Sequence, residues 1–356
     1  MPPTPSDEAN RADMAIPSTS TLRGQKDGVG FARDARGMAE AWRLATSAPV
    51  PDLLGPLPPP GVVGAIAPHD DYVYASRVYR SVLPLVTART VIVLGVFHGF
   101  RKFGERGRLV FDTHASWRTP DGAVPVSSLR KVLLKFLPEE MRTVNDAMHD
   151  GEHSIEALVY WLHHARPDLK IVPVLAPAGP FERLAEVASS FALALSVALD
   201  ARGKRMGEDV ALAISADAIH YGADFAQTRF GAGGDAAYAQ AVAFDRALLE
   251  GSLSGPVTRE NARTLYETFV DPDEPDTYRW TWCGRYSVPF GMLVLQTIAR
   301  LASAQAVAHP IAYETSLSAP PLPLEAYGMG VTAPASPEHF VGYPAVAFTL
   351  RPLTLR

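Results

Sequence analysis

The sequence predicts an α/β fold in which a mixed, largely buried central sheet is flanked by helices on both faces. Three observations lead there. Short apolar runs such as TVIVLGV at 90–96 and VALAIS at 210–215 read as strands buried on both faces. Longer stretches with helical spacing separate them, and such alternation implies a parallel or mixed sheet covered on each side. Apolar residues make up 47% of the 356 residues, enough to bury a core of that kind.

Taken in order, residues 1–27 are rich in Pro, Ser, Thr and charge, a composition that predicts a disordered leader. A single α/β domain is expected over 28–356. In it, Phe31 to Ala45 has helical spacing, and the proline-rich segment 49–61 is a connector that cannot be helical. VVGAIAP at 62–68 is a strand, and Ser76 to Leu83 a short helix stopped by Pro84. The strand at 90–96 follows. WRTPDGAVPVSS has Pro-Asp-Gly turn chemistry and predicts a hairpin. Leu129 to Leu137 and His153 to Ala165 read as helices, and KIVPVLAP at 170–177 as a strand. Phe181 to Ala201 is a long helix, followed by the strand at 210–215. Ala236 to Glu250 and Val288 to Ala304 are helices, and IAYETSLS and VGYPAVAFTL are late strands.

The formal net charge of −5 gives no general attraction for nucleic acid or an anionic membrane surface. No apolar run reaches the roughly 18–20 residues that a membrane helix needs. With one cysteine there is no intramolecular disulfide, which fits a reducing, cytoplasmic setting.

Ligands of such sheets bind beyond the carboxyl ends of the strands. Three strands here end beside His69, His98 and the pair Asp217/His220. His69 reads as a metal ligand or base, or as a loop histidine that caps a backbone group. Asp70 and Asp71 after it read as a helix cap, or as acids that orient the histidine or join a metal. His98 stands in a cleft or is covered by Phe97 and Phe100. His153, between Glu152 and Glu156, is either part of a charged helix start or a proton shuttle. Asp217 can hold the His220 imidazole in one tautomer, or cap a helix. Cys283 is a core filler, a nucleophile beside Arg285, or a thiolate ligand, and two imidazoles with one thiolate would leave positions open for water or substrate. His114, His149, His163, His164, His309 and His339 lack such context and are expected mostly at the surface.

The ordered series PHDDYVYAS, VIVLGVFH, WRTPDGAVPV, EHSIE, KIVPVL, SADAIHYG, CGRYSV and VGYPAVAF resembles the Memo family, also known as AmmeMemoRadiSam system protein B. The resemblance runs over residues 28–356. It implies a fold similar to the class III extradiol dioxygenases, which hold non-haem iron with two histidines and a carboxylate. In Memo a cysteine stands for the carboxylate, so the implied ligands are His69, His98 and Cys283. Asp217 and His220 become polar partners of the site, with His220 base-like, and His153 falls in the family's His-Ser-Ile-Glu motif. Iron is the cofactor this implies first, with copper or zinc as alternatives. The implied activity is dioxygenase-like redox chemistry on a small molecule. The alternatives are a module that binds a peptide or small ligand in the same cleft, and a zinc hydrolase. Asp70 and Asp71 replace the family's Ala-Gly, Phe97 replaces its usual Ser, and Ala216 and Ile219 replace common serines.

Overall fold

The computed structural model describes residues 15–353 apart from 50 and 52. Its strands are β1 (Leu22–Arg23), β2 (Gly64–Ala67), β3 (Thr90–Gly95), β4 (Leu109–Phe111), β5 (Ser116–Thr119), β6 (Gly122–Pro125), β7 (Arg142–Val144), β8 (Lys170–Leu175), β9 (Val210–Ser215), β10 (His220–Tyr221), β11 (Gly255–Pro256), β12 (Ala304–Thr315) and β13 (Phe340–Pro352). Among the described residues, ten of these form one sheet in the order β11-β12-β13-β2-β9-β3-β8-β4-β7, with β10 paired to β13 beside that path. β1, β5 and β6 form a second, small sheet.

The centre of the large sheet, β2-β9-β3-β8, is parallel. Every residue of β2, β3 and β9 is buried, as expected of strands covered on both faces. Helix Ser287–Leu301 packs on β9, on β3 and on helix Phe181–Asp200, whereas helix Tyr72–Val82 packs on β2, β12 and β13. The fold class read from the sequence is therefore the observed one. The hairpin is present as β5 and β6, which turn at Pro120-Asp121.

Several boundaries differ, for identifiable reasons. Helix Tyr72–Val82 starts earlier than Ser76 because Asp71 takes its N-cap position. Helix Ser287–Leu301 stops short because Ala304 already opens β12. His153 is not helical. The Glu152 carboxylate folds back onto the N–H groups of His153 and Ser154, and the helix begins only at Glu156.

The leader expected to be disordered through residue 27 is, from residue 15, part of the fold. Ile16 and Gln25 exchange backbone hydrogen bonds, β1 pairs with β5, and the fully buried Arg23 forms an ion pair with Glu156. Average composition does not register one such buried pair. Residues 1–14 lie outside the described residues. Three histidines expected at the surface, His114, His149 and His163, are buried. Each has a polar partner: the Asp150 carboxylate, the Val110 carbonyl and the Thr119 hydroxyl.

Candidate metal centre

The chain reaches the site at the carboxyl ends of three neighbouring parallel strands. β2 runs through Pro68 into His69, β3 through Val96 and Phe97 into His98, and β9 through Ala216 into Asp217. Cys283 comes from a short 3-10 turn, Cys283–Arg285, just ahead of helix Ser287–Leu301. Two glycines permit the close approach. A Cβ on Gly95 would stand 2.5 Å from Ile155 Cγ1, and one on Gly284 would stand 2.3 Å from Ala216 Cβ. Without those side chains the 151–155 turn and the Cys283 turn can close on the strand ends.

One ligand atom each from His69, His98 and Cys283 lies within 4.8 Å of the others. His69 Nε2 is 3.6 Å from Cys283 Sγ, and the His69 and His98 ring centroids are 5.3 Å apart. Hydrogen bonds decide which nitrogen each ring offers. The Ser215 hydroxyl donates to the Ser154 carbonyl at 2.6 Å, so its oxygen accepts from His69 Nδ1–H at 2.7 Å. His98 Nδ1 donates to Glu152 Oε1 at 2.9 Å. In both rings the Nδ1 proton is thereby committed, and Nε2 is left with a lone pair.

Asp217 ties these pieces together. Its Oδ1 accepts from the His69 N–H at 2.8 Å, its own N–H donates to Cys283 Sγ at 3.0 Å, and its Oδ2 lies 3.3 Å from His69 Nε2. A lone pair, a carboxylate oxygen and a sulfur thus face one another, an arrangement that needs a proton or a cation among them. The donor set of two imidazoles and a thiolate fits a mononuclear transition metal such as iron, copper or zinc.

The electrostatics agree. Burial, reinforced by the neighbouring His98 and His153 rings, lowers the His69 pKa well below the ordinary imidazole value. Burial and then the nearby Asp70 charge raise Asp217 well above the carboxylate range. Burial and then Asp217 push the Cys283 thiol well up. At His98 burial works against the charged ring, but the Glu152 carboxylate outweighs it and the pKa rises. Burial thus favours the neutral forms of His69, Asp217 and Cys283, whereas Glu152 favours a second proton on His98, which a metal at Nε2 would have to displace.

The centre lines one wall of a cleft of about 240 Å³. His153 and His220 both face this cleft. The His153 ring stacks on His98 with centroids 5.1 Å apart. His220 Nδ1 lies 3.1 Å from the Ala218 carbonyl and 3.2 Å from that of Thr281, so Nδ1 carries the proton and Nε2 can accept one. Burial lowers the His220 pKa.

Asp70 and Asp71 act chiefly as struts. Asp70 accepts from the Asp71 N–H and the Tyr343 hydroxyl, and Asp71 accepts from the N–H and hydroxyl of Thr332 without making a side-chain cap bond. Burial and the Asp70 charge raise the Asp71 pKa to about 7. Sequence reasoning missed the roles of Glu152, Ser215 and His339. The last of these was expected at the surface and lines the cleft. Ser215 alone carried a signal, as the polar residue that closes an otherwise apolar strand.

The sequence profile of the Memo-like protein family matches residues 55–319. A MEMO1 family protein of Archaeoglobus fulgidus is 29% identical over 161 residues, which cover 45% of this chain and 56% of the relative. One from Pyrococcus abyssi is 28% identical over 178 residues, 48% of this chain and 56% of the relative. One from Methanosarcina barkeri is 29% identical over 162 residues, 45% and 55% respectively. The chain spans about half the length of the curated relatives it matches, but the family profile covers most of the chain, and the chain belongs to the Memo-like family.

Proposed function

We propose that this protein binds a single transition-metal ion through His69, His98 and Cys283, and carries out redox chemistry on a small organic molecule held in the adjoining cleft. The observation that carries this reading is the grouping of one ligand atom each from His69, His98 and Cys283 within 4.8 Å of one another, with both Nδ1 protons committed, to Ser215 and to Glu152. Iron comes before copper. A hard carboxylate oxygen, Asp217 Oδ2, stands beside the nitrogen and sulfur donors, and it suits iron better than Cu(I). When bound, such an ion supplies a Lewis-acidic centre that can change valence.

The chain's own groups divide the remaining work. Asp217 orients His69 and the Cys283 sulfur through its carboxylate and its N–H. His220 accepts a proton at Nε2, since its Nδ1–H is held by two carbonyls. His153 borders the cleft and stacks on His98.

Elemental analysis of protein purified without added metal, followed by an oxygen-uptake assay, tests the proposal. About one iron or copper per chain is expected, lost in Cys283→Ala and in His98→Ala while circular dichroism stays unchanged. Full metal content in both variants would overturn it. Zinc without oxygen uptake would redirect the reading to hydrolysis, and no metal at all would redirect it to a ligand-binding module.

A further inference from the structure

The metal reading leaves a second cavity unused. It has a volume of about 170 Å³ and is lined by His98, His220, Phe225, Tyr278, Thr281 and Cys283. Three of these residues, His98, His220 and Phe225, also line the main cleft. The other members of the centre divide between these two spaces: of the described lining residues, His69 and Asp217 belong to the cleft and Cys283 to the smaller chamber. The centre is therefore a partition with a space on either side. Phe225 completes the partition, edge-on to His220 at 5.0 Å and against His339 at 4.8 Å between centroids.

The two spaces differ in chemistry. Asp27, Asp70, Asp71 and Asp217 contribute carboxylates to the cleft. The chamber has no carboxylate, lysine or arginine among its described lining residues. Tyr278 is 39% exposed and so stands at the chamber's mouth. Its ring is steadied by the Arg285 guanidinium, 3.7 Å from the ring centroid.

We propose that this chamber is a separate binding site for a small uncharged ligand, which reaches the sulfur side of the centre without crossing the main cleft. The volume suits such a ligand, since an apolar cavity of roughly 150 Å³ holds benzene or xenon. An ion entering would lose its hydration, and the one lining group biased towards a charge, the His98 imidazole, is already paired with Glu152, which disfavours it. Two entrances let a polar molecule and a small neutral one occupy the centre together. The ligand's role at the centre rests on the metal reading, but the chamber does not, so metal-free protein is the right material for the test.

Because the chain has one cysteine, thiol labelling reports on access to Cys283 alone. Methyl methanethiosulfonate is the uncharged probe, and its sulfonatoethyl analogue is the anionic one. Modification of Cys283 is followed by mass spectrometry, and each rate is referred to that of a small free thiol. The neutral reagent is expected to react at least about tenfold faster than the anion, a difference of about 1.4 kcal/mol. Tyr278→Trp should slow it by about tenfold and Tyr278→Ala should accelerate it, whereas Ala333→Trp, at a residue that lines the main cleft and not the chamber, should leave it within about twofold. Equal rates for the two reagents would overturn the proposal. So would slowing by Ala333→Trp but not by Tyr278→Trp, because Cys283 would then be reached through the cleft. Metal content is measured on separate samples, and its absence would sink the metal reading while leaving the labelling result intact.

Discussion

Glu152 uses both oxygens at once. Oε1 accepts from His98 Nδ1 and from the N–H groups of His153 and Ser154, and Oε2 accepts from the His98 N–H. Its pKa is held well below the ordinary carboxylate value because His98, by charge and hydrogen bond, outweighs the effect of burial. Glu152→Gln removes the charge and turns one acceptor into a donor. The expected result is a metal affinity weakened by roughly 10–100-fold with the fold retained, measured by competition with a chelator. Unchanged affinity would mean that His98 is oriented without this carboxylate. The sequence exposes His69 and His98 because each closes a buried apolar run. Glu152 is hidden, since an acid ahead of a helix looks like an N-terminal charge and its partner lies 54 residues away.

Among the elements, the segment around β1 is the one that composition misjudges. Arg23 donates to the Glu156 carboxylate and to the backbone carbonyls of His149 and Glu152, and its guanidinium lies over the Trp117 ring. Glu156 also accepts from the N–H groups of Lys26 and Asp27. Arg23→Met would leave Glu156 buried without its cation, a loss of about 3–5 kcal/mol for breaking one side of such a pair. Equilibrium denaturation should show that loss, and protease cleavage between residues 15 and 27 should become fast in the variant and remain slow in the wild type. Rapid cleavage there in the wild type would restore the reading of the segment as disordered. The helix at Glu156–Ala165 and the hairpin β5–β6 were legible because their signals are local. The register of β12 on β13 was not, since it depends on residues far apart in the chain.

At the scale of the whole molecule, the proposed metal centre would link metal, proton and fold. The four central strands were readable as continuous apolar runs, and they bring to one end the groups that must lose a proton before a cation can bind. Burial raises the Cys283 pKa, so the thiol keeps its proton to higher pH and a metal must displace it. Affinity therefore rises with pH. Metal present at 100 times its dissociation constant adds about 2.7 kcal/mol to stability. The rise in melting temperature on adding iron should accordingly be larger at about pH 8 than at about pH 6, and Cys283→Ala should abolish the difference. A rise independent of pH would point to binding without thiolate. The short turn at 151–155 also bears on how such a centre could be moved. Glu152 aims one imidazole, and the Ser154 carbonyl, through the Ser215 hydroxyl, aims the other. Someone grafting the three ligands onto another scaffold would obtain two rings free to spin. The smallest portable unit is that turn together with the strand ends it braces, and a displacement of the turn would tilt both rings in concert, leaving the site one mechanical degree of freedom where the ligand list suggests two.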